Sequence, residues 1–227
     1  MKRANFKAIY VTVICLIITL LCGCSLFVTD KDKFILDDKH ENLLVWIDLD
    51  KTGSDVVIPS KVGDKKIKMI YLADPYFSRI DSLDLSNVKE LEWLTLKLYG
   101  MNTGTKLKKL DFSKNKKLKY LEINKTTSLK KVIFNNNCED IYLKGTSVKK
   151  VDLKKLEKLD DFSYFDGPLE ELDISNNPNL EYITIANCNV KSLDVSKNPK
   201  LKKITVDEGT KIIGPTNAQI EYNKGTE

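Results

Sequence analysis

Histidine is almost missing from this chain: His40 is the only one in 227 residues. With no nucleophile–base pair in view and no convergent set of titratable groups, the sequence does not describe an enzyme, and no cofactor is expected. Arginine is nearly as scarce, since only Arg3 and Arg79 occur. Arginine is the side chain that base and phosphate recognition favours, so nucleic acid is not indicated as a partner. The five cysteines include three in the first 24 residues. That leaves Cys138 and Cys188, too few for a disulfide framework. The longest apolar run, Ile9 to Leu21, falls short of the ~20 residues that a membrane-spanning helix needs.

What is present begins with an export pattern. Met1-Lys2-Arg3 and Lys7 supply a positive start, the run to Leu21 an apolar middle, and Leu21-Cys22-Gly23-Cys24 a cleavage site. The tetrapeptide resembles a lipobox, the signal of bacterial lipoproteins; Cys22 fits it less well than Cys24 because bulky Leu20 and Leu21 precede it. The resemblance implies that residues 1–23 are removed and that Cys24 carries a lipid. Residues 24–40, with Asp30-Lys31-Asp32-Lys33 and Asp37-Asp38-Lys39-His40, would then tether the protein to the extracytoplasmic face of a membrane. Removing Lys2, Arg3 and Lys7 takes 37 basic residues to 34 against 32 acidic ones, so the formal charge falls from +5 to +2.

The remainder is repetitive. Leu83-Asp84-Leu85-Ser86, Leu110-Asp111-Phe112-Ser113, Val151-Asp152-Leu153, Leu172-Asp173-Ile174-Ser175 and Leu193-Asp194-Val195-Ser196 recur, joined by Val132-Ile133-Phe134. Midway between them fall Leu94-Thr95-Leu96, Leu121-Glu122-Ile123, Ile141-Tyr142-Leu143, Phe162-Ser163-Tyr164, Ile183-Thr184-Ile185 and Ile204-Thr205-Val206. In each half the apolar residues follow L-x-x-L-x-L, and the closing alternation has the period of a strand, which predicts short strands in both halves. Three residues after the last apolar position stand Asn115, Asn137, Asn177 and Asn198 in one set, and Thr126, Thr146, Gly167, Cys188 and Gly209 in the other. This is a turn position, where stacked asparagines can form a ladder. Leu156 departs from that column, and Leu98 to Thr105, with Gly100 and Gly104, reads as a protruding loop.

Leu180, Ile183, Ile185, Cys188 and Val190 match the consensus L-x-x-L-x-L-x-x-N/C-x-L residue by residue. The chain therefore resembles the leucine-rich repeats, and Leu193-Asp194-Val195-Ser196-Lys197-Asn198 is similar to the 21-residue, internalin-like variety of bacterial surface proteins. The fold this implies is mainly β: a right-handed solenoid of about six coils with short parallel strands over residues 80–210. Ile58-Pro59 followed by Val62-Gly63 and Ile67 resembles the start of such domains, so residues 41–79 are expected as an N-terminal cap, which an open solenoid end needs. Residues 211–227 are expected as a closing segment and tail.

Three sets of residues are candidates for function. Trp93, Tyr120, Tyr142, Phe165 and Tyr182 fall at outward positions of the second strand set, one per coil, and predict an aromatic stripe of roughly 20 Å at ~4.8 Å per coil. Exposed aromatics remove much area from water at small entropic cost, so such a stripe suits a protein or glycan ligand; packing of the rings on one another is the competing account. Asp84, Asp111, Asp152, Asp173 and Asp194 form a column that could share calcium. Ile133 interrupts it and Lys109, Lys131 and Lys150 lie beside it, so the column reads instead as a solvated face making local hydrogen bonds. Cys138 and Cys188 fall at a core and a turn position, and their coils are too far apart for a disulfide. Lysine-rich stretches such as Lys114 to Lys119 alternate with acids and read as solubilising charge. The expectation is a monomeric, membrane-anchored binding module, or else a structural component of the cell envelope.

Overall fold

The computed structural model describes residues 33–37, 40, 42–74, 77–99 and 105–225. The export segment, Cys24, most of the expected tether and the glycines of the 98–105 loop lie outside them. Ten strands form one sheet: Phe34–Asp37, Leu43–Ile47, Met69–Ala73, Trp93–Lys97, Tyr120–Asn124, Asp140–Lys144, Asp161–Phe165, Tyr182–Ala186, Lys203–Asp207 and Gln219–Asn223. Their order in the sheet is their order in the chain. From the Leu43 strand onward every neighbouring pair is parallel, so each coil lays one strand beside the last, which is a solenoid of the leucine-rich-repeat kind. The six expected coils are those from Trp93 to Lys203, and the sheet continues beyond them on both sides.

Alternation in the sequence explains the layering. Leu94 and Leu96, Leu121 and Ile123, Ile141 and Leu143, Phe162 and Tyr164, Ile183 and Ile185, and Ile204 and Val206 all point inward, none more than 1% exposed. Burying each stabilises the fold by about 1.5–3 kcal/mol before entropy is counted. Because the side-chain period is two, the intervening residues all face out on one surface.

The opposite wall is more broken than the sequence predicts. Three-residue ladders join Asp55–Val57 to Ser82–Asp84, Lys109–Asp111 to Lys131–Ile133, and Ser192–Asp194 to Lys211–Ile213. Residues 151–153 and 172–174 carry the same pattern yet form no strand. A cleft of about 260 Å³ opens beside the second of them, lined by Leu172, Asp173, Ile174, Ser175, Asp194, Ser196 and Lys197.

Asparagines tie the coils together inside. Asn115 Nδ2 donates to the carbonyls of Leu85 and Val88 (2.9 and 2.8 Å), Asn177 Nδ2 to those of Leu153 and Leu156, and Asn198 Nδ2 to those of Ile174 and Asn177. Leu156 fills the column where its own coil lacks the amide, and is buried. One expectation is corrected: Asn135, not Asn137, enters the interior, where its Nδ2 donates to the Leu118 carbonyl. The stretch from Val132 to Ile141 is two residues shorter than that from Leu110 to Leu121, so the turn must start directly after Phe134. Asn137 is displaced toward solvent and bonds the Lys116 carbonyl.

Both ends also depart from expectation. The cap reaches further back than residue 41, because Phe34–Asp37, inside the segment read as tether, pairs antiparallel with Leu43–Ile47 and buries Phe34. A short helix, Leu49–Thr52, capped by the Asp48 side chain, and a hairpin of Lys61–Val62 and Lys65–Lys66 complete the cap over Val56, Ile58 and Ile67. At the other end residues 211–223 do not close the stack. They form another coil, whose last strand holds Ile220 and Tyr222 in register with buried Ile204 and Val206 but leaves them 37% and 52% exposed.

Candidate binding face

The outward surface of the ten-stranded sheet carries three rows, set by the first, third and fifth residues of each strand. Register places Met69, Trp93, Tyr120, Asp140, Asp161, Tyr182 and Lys203 side by side in the first row. The middle row runs Tyr71, Thr95, Glu122, Tyr142, Ser163, Thr184, and the third Ala73, Lys97, Asn124, Lys144, Phe165, Ala186. Trp93, Tyr120, Tyr142, Phe165 and Tyr182 thus share one face, but not as one straight stripe. The aromatics run diagonally across the rows from Tyr120 through Tyr142 to Phe165, then return to the first row at Tyr182. Glu92 and Glu181 lie just before the strands.

Contacts among these side chains fix the surface. The Trp93 and Tyr120 rings stack at 15° with centroids 3.4 Å apart, and Tyr142 and Phe165 meet at 37° and 5.3 Å. Trp93 Nε1 donates to Thr95 Oγ1 (3.1 Å), and Tyr120 OH donates to Glu122 Oε2 (3.2 Å). Trp93 also packs against Leu43, Met69 and Tyr71, a small apolar cluster on the outer side of the sheet. Tyr71 OH bonds Tyr99 OH at 2.5 Å. Tyr71 carries no alternating signal in the sequence, because Met69-Ile70-Tyr71-Leu72 is apolar throughout and all four are buried. It also lies in the segment assigned to the cap.

The sequence reading also passed over a pair of acids. Asp140 and Asp161 are neighbours in the first row, with Tyr120 on one side and Tyr182 on the other. Each stands immediately before the first apolar residue of its strand, as Trp93 and Tyr120 do, so comparing that single column would have found them. Burial, followed by the negative charges of Asp161, Asp160 and Glu122, pushes the Asp140 carboxyl up to about 8. Asp161 rises to about 6, again through burial, and Asp160 at the same edge is raised for the same reason. The lysines around them are engaged elsewhere: Lys97 with Glu122, Lys119 with Glu139, Lys144 with Asp166, Lys202 with Glu181 and Lys203 with Glu221. Among the described residues, no lysine or arginine pairs with Asp140, Asp160 or Asp161.

The aspartate column on the other wall makes turns. Asp84, Asp111, Asp152, Asp173 and Asp194 each accept a hydrogen bond from the backbone N–H two residues on, at 2.8 to 3.2 Å, holding the chain as it leaves the strand position. Among the described residues no three histidine, cysteine or acidic side chains converge on a metal position. Cys138 is buried and Cys188 half-buried; both are free thiols, and burial pushes each up to about 12, away from the thiolate that reactivity requires. His40 contacts Asp37 Oδ2 at 2.6 Å, away from the face.

Among solved structures the chain is similar to the functional domain of InlJ from Listeria monocytogenes, described as including a cysteine ladder. The likeness covers 80% of this chain and 52% of that one, at 16% identity and a TM-score of 0.37. The chain thus spans about half the length of that solved chain. No family model and no curated protein matches it.

Proposed function

We propose that this protein is a lipid-anchored interaction module of the bacterial cell surface, held through Cys24, whose outward sheet face binds a protein or a glycan. The observation that carries the reading is the gathering of Trp93, Tyr120, Tyr142, Phe165 and Tyr182 on a single sheet face over which the described residues lay no second layer. A parallel sheet is usually covered on both sides, so a face to which the described residues add no second layer, and which carries Tyr182 exposed and the other four aromatics half-buried, suits a partner. The sequence pattern at Leu21 to Cys24 supports the anchor. Crosslinking pull-down from intact cells and growth medium, with the parent protein beside a variant carrying alanine at all five aromatics, tests it. A partner held by the parent and lost by the variant supports the reading, whereas equal capture by both removes it.

A second reading rests on the last coil. Ile220 and Tyr222 are exposed on the final strand, and the edge of that strand has no neighbour among the described residues, an arrangement that suits end-to-end self-association in a structural envelope component. Size-exclusion chromatography separates the two: a stable oligomer favours the structural reading, a monomer the binding one.

A further inference from the structure

We propose that the wall opposite the sheet lies against the membrane, with lysines of three consecutive coils among anionic phospholipid headgroups and Ile133 entering the layer between them. The inference goes beyond the sheet face and rests on the membrane location proposed above.

A basic pair recurs at one place in the repeat. Lys108-Lys109 stands between Leu107 and Leu110, Lys130-Lys131 between Leu129 and Val132, and Lys149-Lys150 between Val148 and Val151. The flanking apolar residues belong to the core or pack against it, so all six lysines are left exposed on one wall. Register sets Lys109 directly beside Lys131, and the Lys130 N–H donates to the Lys108 carbonyl, so the first two pairs stack coil on coil. Lys109 pairs with Asp111 and Lys150 with Glu171. Among the described residues Lys108, Lys130, Lys131 and Lys149 are in no ion pair. Glu170-Glu171 takes the place of the lysines on the next coil and bounds the patch.

Ile133 is an independent observation. It stands beside Asp111 in the outward column that other coils fill with Asp84, Asp152, Asp173 and Asp194, while Val132 and Phe134 on either side of it pack against the core. At the centre of the lysine pairs the chain thus replaces an acid with an apolar side chain that faces out. Charge kept for solubility would call for the reverse, because like charges side by side in a ladder repel and an outward isoleucine favours association. The same column ends in Val57 and Ile213, in register with Asp84 and Asp194 and 55% and 41% exposed. Lysine amines around an apolar centre suit the boundary of a bilayer, where the amines meet phosphates and the apolar group meets acyl carbons. A soluble polyanion would use the lysines alone and gain nothing from the isoleucine.

The tether allows this placement. Nine residues, Ser25 to Lys33, separate Cys24 from the first described strand and span at most about 30 Å. The lysine pairs follow the fourth, fifth and sixth strands of the sheet, three to five strand spacings from its first, or roughly 15–25 Å. A protein lying on this wall keeps Cys24 within reach of the same bilayer and turns its sheet face toward solution.

Lysine footprinting of the membrane-bound protein tests the proposal. The protein as isolated from producing cells is reconstituted with vesicles of phosphatidylcholine, alone or mixed with phosphatidylglycerol, and acetylated with a water-soluble ester; mass spectrometry of its peptides reads each lysine. Lys108, Lys130, Lys131 and Lys149 are expected to react at least ~threefold more slowly on the phosphatidylglycerol vesicles, a difference that about 1 M salt abolishes by screening. Lys144 and Lys203 on the sheet face are expected to react alike on both. Ile133→Asp, which restores the acid that neighbouring coils carry, should remove most of the protection, whereas Asn176→Asp makes the same charge change at an exposed turn and should leave it. Equal rates at the four lysines on both vesicles, or equal losses in both variants, overturn the proposal. Protection by soluble polyphosphate but not by phosphatidylglycerol also overturns it and gives the wall to an anionic polymer. Circular dichroism confirms that each variant is folded, with Ile133→Ser as the fallback. Flotation keeps the anchor separate: protein that floats with phosphatidylcholine alone, while the four lysines react alike on both vesicles, loses the wall contact and keeps the anchor. Protein that floats with neither vesicle loses both.

Discussion

Asp140 shows how a single side chain links stability to function here. It faces Tyr120 and Glu122 from the preceding strand, Asp160 and Asp161 from the following one, Tyr142 on its own strand, and Glu139, itself paired with Lys119, at the strand's start. Its carboxyl titrates near ~3.9 in an unfolded chain and about 8 in the fold, so between those values the native state holds a proton the unfolded state has released. Stability therefore falls as pH rises through that window, and Asp161, raised to about 6, adds to the slope below it. Asp140→Asn should raise the thermal midpoint by ~3 °C or more at about pH 9 and leave it nearly unchanged at about pH 4. A variant less stable at both pH values would show that the carboxylate is held by a favourable contact instead. Asparagine gives a second residue-scale test. Asn135→Ala should cost about 2 kcal/mol in urea unfolding by stranding a buried carbonyl, while Asn137→Ala should cost no more than ~0.5 kcal/mol. The sequence pointed to Asn137 because it keeps the spacing of Asn115, Asn177 and Asn198; what overrode that spacing was a coil two residues short, which forces the buried amide to whichever asparagine meets the inside of the bend.

At the scale of elements, alternation was sufficient for the main sheet and insufficient for the opposite wall. Leu121, Ile123, Ile183 and Ile185 are inward because their period is two, and nothing else could bury both residues of each pair. Leu172 and Ile174 have the same period, but strand pairing also requires the neighbouring coil to approach within hydrogen-bonding distance, and a cleft opens there beside Asp173 and Asp194. That distance is a property of two coils and is not written in either one. The strand Phe34–Asp37 escaped notice for a related reason: three apolar residues between charged neighbours look like tether until the Leu43 strand offers them a partner. The last coil depends on Gly214, whose φ of +93° suits glycine and whose added Cβ would come within 2.8 Å of Ser196 Cβ. Gly214→Ala should loosen that coil, so that amides of Gln219–Asn223 exchange with solvent faster while those of Tyr120–Asn124 and Tyr182–Ala186 keep their protection. Uniform loss across all three strands would mean that the solenoid melts as one unit.

Across the whole molecule the two walls divide the work. One is held by aspartate turns and interrupted ladders, the other is a continuous sheet whose outer surface gathers the aromatics together with Asp140 and Asp161. The sequence revealed that the five aromatics face one way, since parity along each strand decides that. It could not reveal that they run diagonally, because the row a residue occupies depends on where each strand begins within its coil. Asp140 and Asp161 are not legible as a pair in the sequence because acids at a surface are ordinary until register places them side by side. The most direct test of the central claim is photo-crosslinking on living cells, with the reactive group placed in turn at Tyr142 and Tyr182 on the sheet face and at Lys131 and Lys150 on the other wall. Crosslinks to one common partner from Tyr142 and Tyr182 alone are the predicted result. Crosslinks to that partner from Lys131 and Lys150, with none from the sheet positions, would place binding on the other wall and contradict the account.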